Sequence, residues 1–540
     1  MSDAPRNVLF IMTDQLRWDY LSCAAPTRVS TPNIDALAKR GVRFNRAYVQ
    51  SPICGPSRMS SYTGTYMRTH GATWNEVPLR IDEWTLGDYL RPLGLKTQLV
   101  GKTHMRADLE GIARAGIDPN SEAGRRIIQC GFDAFERDDG LYPESPNVPA
   151  SRFQAVRYNQ YLNALGYDGI NPWHSWANSW EDSAGNVRSG WFLDAGPHAA
   201  RVAAEHSETP YMTRRAIECI EQSGDEPWCI HLSYIKPHWP YIAPAPYHAL
   251  YGPGDIPKAA RSAGERNSAH PVFQAFQQLR YSHAFSKEDV RRAVIPAYMG
   301  LIKQIDDELG TLFDYLNARG LFANTMIVFT SDHGDYLGDH WLGEKEFFHE
   351  ASVRVPLIVA DPRAEANATR GTVSEALVEA IDLVPTFVEF AGGEPAYHRL
   401  QGTSLQPLLH GAAPANWRTA AFSEFDYATT NVRLILDAPI DRSKMQMAVT
   451  DRWKLMRFDA YVPMVFDLDA DPLELVDLGA DASSAGARAE LGERLDDWAE
   501  RVRRPTESVA SLKRRTNTQT ERGFLLGYWD EAELPAKTLP

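Results

Sequence analysis

The chain has 540 residues, of which 44% are hydrophobic and 23% are charged, a composition typical of soluble globular proteins. Its 56 basic and 70 acidic residues give a formal net charge of −14. This charge argues against nucleic acid as a partner, because phosphate backbones are bound by basic surfaces. No run of about 18 apolar residues occurs, so no membrane span is predicted. A chain of this length is expected to form one large domain and at least one smaller one.

The N-terminal sequence and the cysteines indicate the compartment. The first residues lead straight into an apolar stretch and lack the regions of a signal peptide. The cysteines are few, odd in number and dispersed, which suits a reducing cytoplasm better than a disulfide framework. They are Cys23, Cys54, Cys130, Cys219 and Cys229. We therefore predict a cytoplasmic protein, in which the cysteines other than Cys54 are small buried hydrophobic residues.

Apolar runs that alternate with helical patterns predict an α/β fold with a large, mostly parallel sheet. Strands are predicted at residues 7–13, 97–100, 228–234, 325–330 and 356–360. Helices are predicted at residues 31–41, 296–318 and 374–391. The first helix has clear start and stop signals, with Thr31 as N-cap, Pro32 in the first turn and Gly41 at its end.

Metal-ligand side chains follow two of the predicted strands. Asp14 and Gln15 come after strand 7–13, and Asp332 and His333 come after strand 325–330. Ligand sites in open parallel sheets lie outside the carboxyl ends of the strands, so these four side chains are expected to meet. Either pair alone could be a capped strand-to-helix turn. Together they predict a site for one divalent cation, with Ca²⁺ and Mn²⁺ both open.

Cationic side chains lie close to the ends of other predicted strands. Lys102 and His104 follow strand 97–100, His238 follows strand 228–234, and Lys345 lies downstream of Asp332. Each of these residues alone is more often a surface charge or a satisfied core group. Together they predict a local cationic pocket, which a small anionic ester substrate would need because the whole chain is negatively charged.

The segment Cys54-Gly55-Pro56-Ser57-Arg58, extended through Thr63-Gly64, carries the most specific motif. It matches the Cys-x-Pro-x-Arg element that marks a cysteine for oxidation to formylglycine. A helix is expected to begin near Pro56, and its N-terminus favours an anionic oxygen at position 54. The chain therefore resembles a type I, formylglycine-dependent sulfatase of the alkaline phosphatase superfamily.

The resemblance implies a maturation step and a nucleophile. A formylglycine-generating enzyme would convert Cys54 to 3-oxoalanine, and the hydrated aldehyde would be a metal ligand and attack sulfur. By the family pattern, Asp332 would help to deprotonate the attacking hydroxyl. Arg58 would hold residue 54 and the metal-bound oxygens.

The cationic residues take roles from the same resemblance. Lys102 and Lys345 would neutralise the oxygens of the transferred group. His238 would donate a proton or a hydrogen bond to the leaving group, and His104 would be the base that releases sulfate. Asn75 falls where the phosphonate monoester hydrolase branch places a residue that contacts substrate.

The resemblance also implies a large sheet between helices, as in alkaline phosphatase, and a smaller C-terminal α+β domain. We predict a catalytic domain over residues 1–415, with loop-rich insertions near 106–200 and 240–285. Residues 416–505 are predicted to form an antiparallel-sheet subdomain. Residues 506–540 are predicted to be a polar tail and a candidate oligomer contact, so we expect a homo-oligomer, either a dimer or a tetramer.

The motif set leaves two substrate classes open. The pairs Asp14-Gln15 and Asp332-His333 resemble the phosphonate monoester hydrolase branch, whereas Lys102 and His104 follow the sulfatase pattern. A sulfate monoester and a phosphonate monoester or phosphodiester each carry one negative charge, so charge alone does not decide. We rank sulfate monoester hydrolysis first, because Lys102 and His104 would touch the transferred group, and we expect side activity on the other class.

Two other classes remain as rivals. A metal phosphohydrolase could use unmodified Cys54 or another nucleophile, although the Cys-x-Pro-x-Arg context argues against it. A catalytically silent binding protein could share the fold, but neither the metal-ligand residues nor Arg58 are missing. The insertion residues Trp173, Trp176, Trp180 and Trp191 could line an aryl pocket or belong to the core.

Overall fold

An eight-stranded sheet of order β8-β2-β7-β6-β1-β5-β3-β4 is the centre of the computed structural model, which describes residues 7–144, 148–502 and 524–534. Its strands are β1 (Asn7–Asp14), β2 (Val42–Tyr48), β3 (Lys96–Gly101), β4 (Asp133–Arg137), β5 (Trp228–Pro237), β6 (Thr325–Ser331), β7 (Arg354–Ala360) and β8 (Thr372–Glu379). Strand β7 is antiparallel to both of its neighbours, and all other neighbouring pairs are parallel. The predicted α/β fold with a mostly parallel sheet is confirmed.

The helices of this chain cover both faces of the eight-stranded sheet or belong to the C-terminal unit. In chain order they are α1 (Pro32–Arg40), α2 (Cys54–Thr63), α3 (Met67–His70), α4 (Leu86–Leu90), α5 (Leu109–Arg114), α6 (Glu122–Ile128), α7 (Ala150–Gln154), α8 (Arg157–Ala164), α9 (Glu208–Ser223), α10 (Ala263–Arg266), α11 (Pro271–Gln277), α12 (Arg280–Phe285), α13 (Glu288–Ala318), α14 (Glu350–Val353), α15 (Leu383–Phe390), α16 (Gln406–Leu409), α17 (Asn431–Ile435) and α18 (Ala485–Arg501). Strand β1 shows the effect on the sequence: all eight of its residues are buried, and residues 8–12 form a continuous apolar run.

The side chains of β1 alternate between two hydrophobic cores. Val8 and Phe10 belong to the core that α2 and α15 cover, whereas Leu9 and Ile11 belong to the core that α1, α9 and α13 cover. The central strand is therefore held from both faces, and its carboxyl end at Asp14 is fixed with it. Sheet and helices thus form a rigid base for the residues that follow the strands.

A second, antiparallel sheet forms the smaller C-terminal unit. Its strands, in sheet order, are β9 (Ala421–Asp426), β10 (Lys444–Val449), β11 (Trp453–Phe458) and β12 (Tyr461–Asp467), and helix α18 packs against β10 and β11. The resemblance-based expectation of a smaller α+β unit is confirmed. The last strand ends at Asp467, because the following Asp- and Pro-rich residues form turns.

The predicted helix over residues 374–391 is wrong in its first half. Residues Thr372–Glu379 form β8, which pairs in parallel with β2, and only Leu383–Phe390 is helical. The backbone of β2 provides hydrogen-bond partners for this segment. Such partners are distant in sequence, so a local helical pattern does not reveal them. The long helix also starts earlier than predicted, at Glu288, because Pro296 lies inside it and does not begin it.

The segment that we read as an insertion, residues 106–200, contains one strand of the main sheet. This strand, β4, is the edge strand beside β3 and is only partly buried, so its apolar signal is weak. Of the four tryptophans in this segment, Trp173 and Trp191 belong to the hydrophobic core. Two short pairs of strands also form here and in the second insertion: Ser179–Glu181 with Val187–Ser189, and Ala199–Ala200 with Ala243–Pro244.

The C-terminal tail is described only over residues 524–534, where it packs on its own chain. The backbone N–H of Leu193 donates to the carbonyl oxygen of Tyr528 at 3.1 Å, and Phe524 contacts the rings of Trp191 and Trp239. The oligomer contact that we predict for residues 506–540 otherwise falls outside the described residues.

Two further expectations concern membranes and disulfides. In the parts of the chain that the structure describes, no helix is both long enough and apolar enough to cross a bilayer. All five cysteines are free, and Cys54, Cys130, Cys219 and Cys229 are buried.

The buried histidine His231 makes stability depend on pH. Its Nδ1 lies 3.1 Å from the carbonyl oxygen of Phe10 and so carries the proton, while Nε2 accepts from the Tyr62 hydroxyl at 2.9 Å. Burial, with the nearby Arg58 charge, lowers the pKa of His231 from 6.5 to about 3. Because the unfolded chain binds a proton that the folded chain does not, this contribution is complete above pH 6.5 and is lost as the pH falls towards 3.

We expect the substitution His231→Gln to remove that dependence. Between pH 6 and about pH 4, the free energy of unfolding of the variant should fall less steeply with decreasing pH, by about 1.4 kcal/mol per pH unit. Denaturant unfolding of both proteins across this range measures the slopes. Equal slopes would show that His231 is not held neutral in the folded chain.

Candidate active site

The register of the sheet brings the predicted site residues to one edge. Thr13 of β1 is paired with Ser331 of β6, so Asp14 and Asp332 leave the sheet side by side. Gly101 of β3 is paired with Ser233 of β5, which places the turn after β3 at the same edge. The site thus follows from the parallel order of four adjacent strands.

Cys54 is the first residue of α2, two residues earlier than the start that we predicted. Ile53 is the extended N-cap residue, and its carbonyl oxygen accepts from the Ser57 N–H at 3.0 Å. The Cys54 side chain is completely buried, with Sγ 3.1 Å from His333 Nε2 and 3.8 Å from Asp14 Oδ1. The helix N-terminus therefore presents residue 54 directly to the cluster at the strand ends.

Arg58, one helical turn further on, joins the two carboxylates. Its Nε donates to Asp332 Oδ2 at 2.7 Å, and its Nη2 donates to Asp14 Oδ2 at 3.0 Å. Nη1 donates to Ser233 Oγ at 2.7 Å and to the Lys102 carbonyl oxygen at 3.0 Å. Although burial alone would lower the pKa of Arg58, the two carboxylates Asp332 and Asp14 hold that pKa well above its usual value.

The carboxylates keep their other oxygens for a second partner. Asp14 Oδ1 and Asp332 Oδ1 lie 3.9 and 3.6 Å from His333 Nε2. The four side chains Asp14, Cys54, Asp332 and His333 each offer one ligand atom, and these atoms all lie within 4.8 Å of one another. Burial would raise the pKa of Asp14, but Lys102, the neighbouring histidines and Arg58 together hold it well below 3.8.

The orientation of His333 and Gln15 also fits a cation. His333 Nδ1 donates to the Gly334 carbonyl oxygen at 2.9 Å, so the lone pair of Nε2 points towards the carboxylates. The amide nitrogen of Gln15 faces acceptors, with Asp335 Oδ2 at 2.6 Å and Glu344 Oε1 at 3.0 Å. Its amide oxygen is thereby turned to the site. Two carboxylates, an imidazole and an amide oxygen are a suitable donor set for a divalent cation.

A strained turn after β3 positions Lys102 and His104. Gly101 has a φ of 112° and His104 has a φ of 52°. Asp139 Oδ1 accepts from the backbone N–H groups of Thr103 and His104, both at 2.9 Å. The turn directs the Lys102 ammonium to Asp14 Oδ2, 2.5 Å away. Backbone contacts of this turn therefore bring Lys102 and His104 into the cluster, and these contacts could not be predicted from the sequence.

His104 is a neutral base in this arrangement. Burial, together with the Lys102 charge, lowers its pKa below 6.5, and its ring interacts with Cys54. Its Nδ1 is buried and has no hydrogen-bond partner among the described residues. A neutral imidazole that interacts with residue 54 can accept a proton from it.

Lys345 and His238 form a pair on the opposite side of Cys54. The Lys345 ammonium lies 3.4 Å from Cys54 Sγ and 2.9 Å from Gln15 Oε1. It also donates to His238 Nε2 at 3.0 Å, because His238 Nδ1 already donates to the Trp239 carbonyl oxygen at 2.7 Å. Burial and the Lys345 charge lower the pKa of His238 well below 6.5.

Asn75 lies at the mouth of the cluster. Its Oδ1 accepts from the Gly55 N–H at 2.8 Å, which leaves the amide nitrogen to face a cavity. This cavity has a volume of about 530 Å³, and Cys54, His104, His238 and Lys345 line its inner end. Cys54 and Lys345 contact other predicted site residues, so the structure brings the whole predicted set into one cluster, of which five members line this pocket.

Several residues of the site were not predicted from the sequence. Ser233 holds Arg58, Asp139 holds the turn of His104, and Asp335, Glu344 and Tyr241 hold the amide of Gln15. Phe524 and Leu526 of the C-terminal segment line the cavity. The apolar run Phe524-Leu525-Leu526 within a polar tail was a signal that could have indicated a buried contact.

Comparison with known families identifies the chain. The model of the family described as "Sulfatase" matches residues 6–393. The chain belongs to the sulfatase family. A second model, described as "N-sulphoglucosamine sulphohydrolase, C-terminal", matches residues 338–501. The predicted sulfatase of the alkaline phosphatase superfamily, a sulfuric ester hydrolase, is thereby confirmed.

Similar proteins fall in more than one branch of this superfamily. The multifunctional alkaline phosphatase superfamily protein PehA of Trinickia caryophylli is 31% identical over 519 residues, which cover 91% of this chain and 95% of PehA. An arylsulfatase of Clostridium perfringens is 26% identical, with 87% and 90% of the two chains covered. The solved phosphonate monoester hydrolase of Silicibacter pomeroyi has a TM-score of 0.78 and 28% identity, with 92% and 95% covered.

The turn after β3 can be tested with two glycines. A Cβ on Gly101, at a φ of 112°, would overlap the Ser233 carbonyl oxygen, whereas a Cβ on Gly94, at a φ of 88°, would meet no atom within 4 Å. Both substitutions by alanine strain the backbone by about 1 kcal/mol. We expect only Gly101→Ala to lower kcat/KM strongly, because it displaces Lys102 and His104.

The measurement is kcat/KM together with Tm for both variants on an ester that the parent protein hydrolyses. Gly94→Ala controls for the common loss of stability. Full activity in a folded Gly101→Ala protein would contradict the account of the turn.

Proposed function

We propose that the chain hydrolyses sulfate monoesters, with an aryl ester as a suitable small anionic substrate, after Cys54 has been converted to formylglycine. The observation that carries this proposal is the placement of Cys54 at the N-terminus of α2, with its Sγ 3.1 Å from His333 and 3.4 Å from Lys345. Residue 54 is thus flanked by a candidate metal cluster and by cations that suit an anionic group. A hydrated formylglycine supplies one hydroxyl to attack sulfur and a second to release sulfate.

One divalent cation belongs to this proposal. Asp14, Gln15, Asp332 and His333 would hold it beside residue 54, and both Ca²⁺ and Mn²⁺ suit a set of oxygen ligands with one imidazole. When bound, the cation would supply positive charge that favours an ionised oxygen on residue 54. Arg58 would keep the two carboxylates ionised and in position, because it is hydrogen-bonded to both.

Lys102 and Lys345 would bind the oxygens of the sulfuryl group. Both ammonium groups are buried, where their attraction to an anion is less screened than in water. Burial opposes the charge of Lys345, but Cys54 and Glu344 raise the pKa of Lys345 above 10.5 in the unmodified chain. After conversion of Cys54, the charges of Glu344 and Asp14 would still favour the ammonium form. Asn75 would add a hydrogen bond through its free amide nitrogen.

His238 would act at the leaving-group oxygen. In the structure its Nε2 accepts from Lys345 and carries no proton, because the proton is on Nδ1. An anionic ester beside Lys345 would offset that positive charge and favour a proton on His238 Nε2, from which it would pass to the leaving oxygen. His104, neutral and with an unpartnered Nδ1, would take the proton of the second hydroxyl when sulfate leaves.

The alternative is hydrolysis of phosphonate monoesters or phosphodiesters at the same site. It is supported by the similarity to PehA and to the Silicibacter pomeroyi phosphonate monoester hydrolase. It is also supported by the pairs Asp14-Gln15 and Asp332-His333, which resemble that branch. We place sulfate first because Lys102 and His104 flank residue 54, and we propose activity on both classes.

The remaining features of the proposal concern the cellular setting. We propose that a formylglycine-generating enzyme matures Cys54, that the protein acts in the cytoplasm, and that it forms a dimer or tetramer. The five free cysteines support a reducing compartment. The formal net charge of −14 argues against nucleic acid as a partner.

A comparison of two esters tests the proposed function. The kcat/KM for 4-nitrophenyl sulfate is measured beside that for 4-nitrophenyl phenylphosphonate, on one protein sample whose Cys54 conversion is known from peptide mass. We expect the sulfate to be the better substrate, because Lys102 and His104 serve sulfate transfer and release. Cys54→Ala gives the background rate.

A clear excess on the phosphonate would overturn the order of the two classes. It would mean that the four metal-ligand residues and His238 govern the choice. Equal activity of the Cys54→Ala variant on either ester would contradict the role of residue 54.

A further inference from the structure

The cavity above Cys54 has an outer wall that the proposed reaction does not use. Aromatic side chains form much of it, including Trp74, Trp239 and Phe524. These residues come from three distant parts of the chain, and they could pack against the alcohol part of an ester whose sulfuryl group lies at Cys54. The wall also carries acidic side chains, whose negative charge does not favour an anionic ester.

Three of the four acidic side chains on this wall are already engaged. Glu76 is 2.6 Å from Arg106, Asp139 is 2.7 Å from Arg137, and Glu344 accepts from the Gln15 amide at 3.0 Å. Glu346 differs from them. Its Oε2 accepts from the Tyr281 hydroxyl at 2.6 Å, but its Oε1 has no hydrogen-bond partner among the described residues.

The backbone holds Glu346 in a conformation that side chains rarely adopt. Its φ is 84°, and that of Glu344, on the other side of Lys345, is 61°. A non-glycine residue in this region costs about 1–3 kcal/mol, so the surrounding structure must enforce it. The Glu346 N–H donates to the Pro52 carbonyl oxygen at 3.2 Å, which ties the residue to the segment that carries Cys54.

The C-terminal segment fixes the partner of Glu346. Gly527 lies so close to Tyr281 that a Cβ at Gly527 would be 2.8 Å from the Tyr281 backbone nitrogen. Tyr281 is therefore held from one side by this segment and presents its hydroxyl to Glu346 on the other. One oxygen of this buried carboxylate is fixed by Tyr281, and the other is free. The carboxylate is therefore arranged to accept a hydrogen bond from a second donor.

We propose that Glu346, positioned by Tyr281, is a specificity residue that accepts a hydrogen bond from a hydroxyl or ammonium group on the alcohol part of the substrate. The proposal rests on the proposed function, since it places the ester at Cys54. The substrate class is thus an anionic ester of an aromatic or similarly flat alcohol that also carries a polar donor group. Burial raises the pKa of the Glu346 carboxyl to about 7, so a cationic donor would also offset the cost of its charge.

The test uses phenols that differ only at the end of one side chain. The sulfate esters and phenylphosphonate esters of 4-propylphenol, 4-(2-hydroxyethyl)phenol and 4-(2-aminoethyl)phenol are compared, together with their 3-substituted isomers. We expect kcat/KM to be about 10- to 100-fold higher for the amine than for the propyl ester at the better ring position, because the donor binds a charged acceptor. The hydroxyl ester should lie between them.

Variants distinguish the contribution of Glu346 to the preference from that of the other wall residues. In Glu346→Gln the preference for the amine over the propyl ester should fall to within about threefold of unity, because the charged acceptor is lost. Tyr281→Phe leaves the carboxyl but removes the hydroxyl that positions it, and should lower the preference by a smaller factor. Glu110→Gln, at an exposed position on α5, is the matched control and should keep both the preference and the activity.

Binding to the unreactive Cys54→Ala protein measures the preference for the amine over the propyl ester without turnover. Dissociation constants of the sulfate esters are measured by calorimetry for Cys54→Ala alone and combined with Glu346→Gln. If neither ester series is hydrolysed by the parent protein but the amine still binds more tightly through Glu346, the proposed function fails and the specificity residue stands. If the propyl and amine esters bind equally, or if Glu346→Gln keeps the preference, the proposal for Glu346 is wrong.

Discussion

The buried ion cluster of Arg58 with Asp14 and Asp332 is the interaction on which the rest of the site depends. Two carboxylates emerge side by side from adjacent parallel strands, with no exposure to water. Their mutual repulsion would be severe without a cation between them. Arg58 reaches both from the first turns of α2, and this contact fixes the helix whose first residue is Cys54. The sheet thus determines where Cys54 lies.

The same charges would allow a strongly acidic chain to bind an anionic ester, as the proposed function requires. Asp14 and Asp332 use one oxygen each for Arg58, and their other oxygens face His333 and Cys54. A divalent cation there would complete the charge balance of the inner cluster. In the proposed function Lys102 and Lys345 would bind the ester, so the binding of anions would be local and would not need a basic surface. The outer wall, with Glu346, serves the neutral or cationic part of the substrate.

The sequence allowed much of this architecture to be predicted, because strand ends in a parallel sheet must meet. Asp14 and Asp332 could be placed together for that reason, and the motif at Cys54 indicated the family. Elements that depend on distant partners could not be predicted. Strand β8 was read as a helix, since its pairing with β2 leaves no local signal. The free carboxyl oxygen of Glu346 and the contact of Phe524 with the cavity depend on how separated segments pack, which periodicity does not encode.

The most direct test of the central claim is the metal content of an Asp332→Asn variant, measured by elemental analysis after dialysis. Asp382→Asn is the control, since Asp382 is also a buried carboxylate paired with an arginine, Arg418, and its hydrogen-bond partners are all outside the metal cluster. Loss of a residue that only supports a ligand already weakens metal binding about 10- to 100-fold. We therefore expect Asp332→Asn to lose most of its bound metal and Asp382→Asn to keep it. Full occupancy in a folded Asp332→Asn protein would contradict the cluster as the metal site.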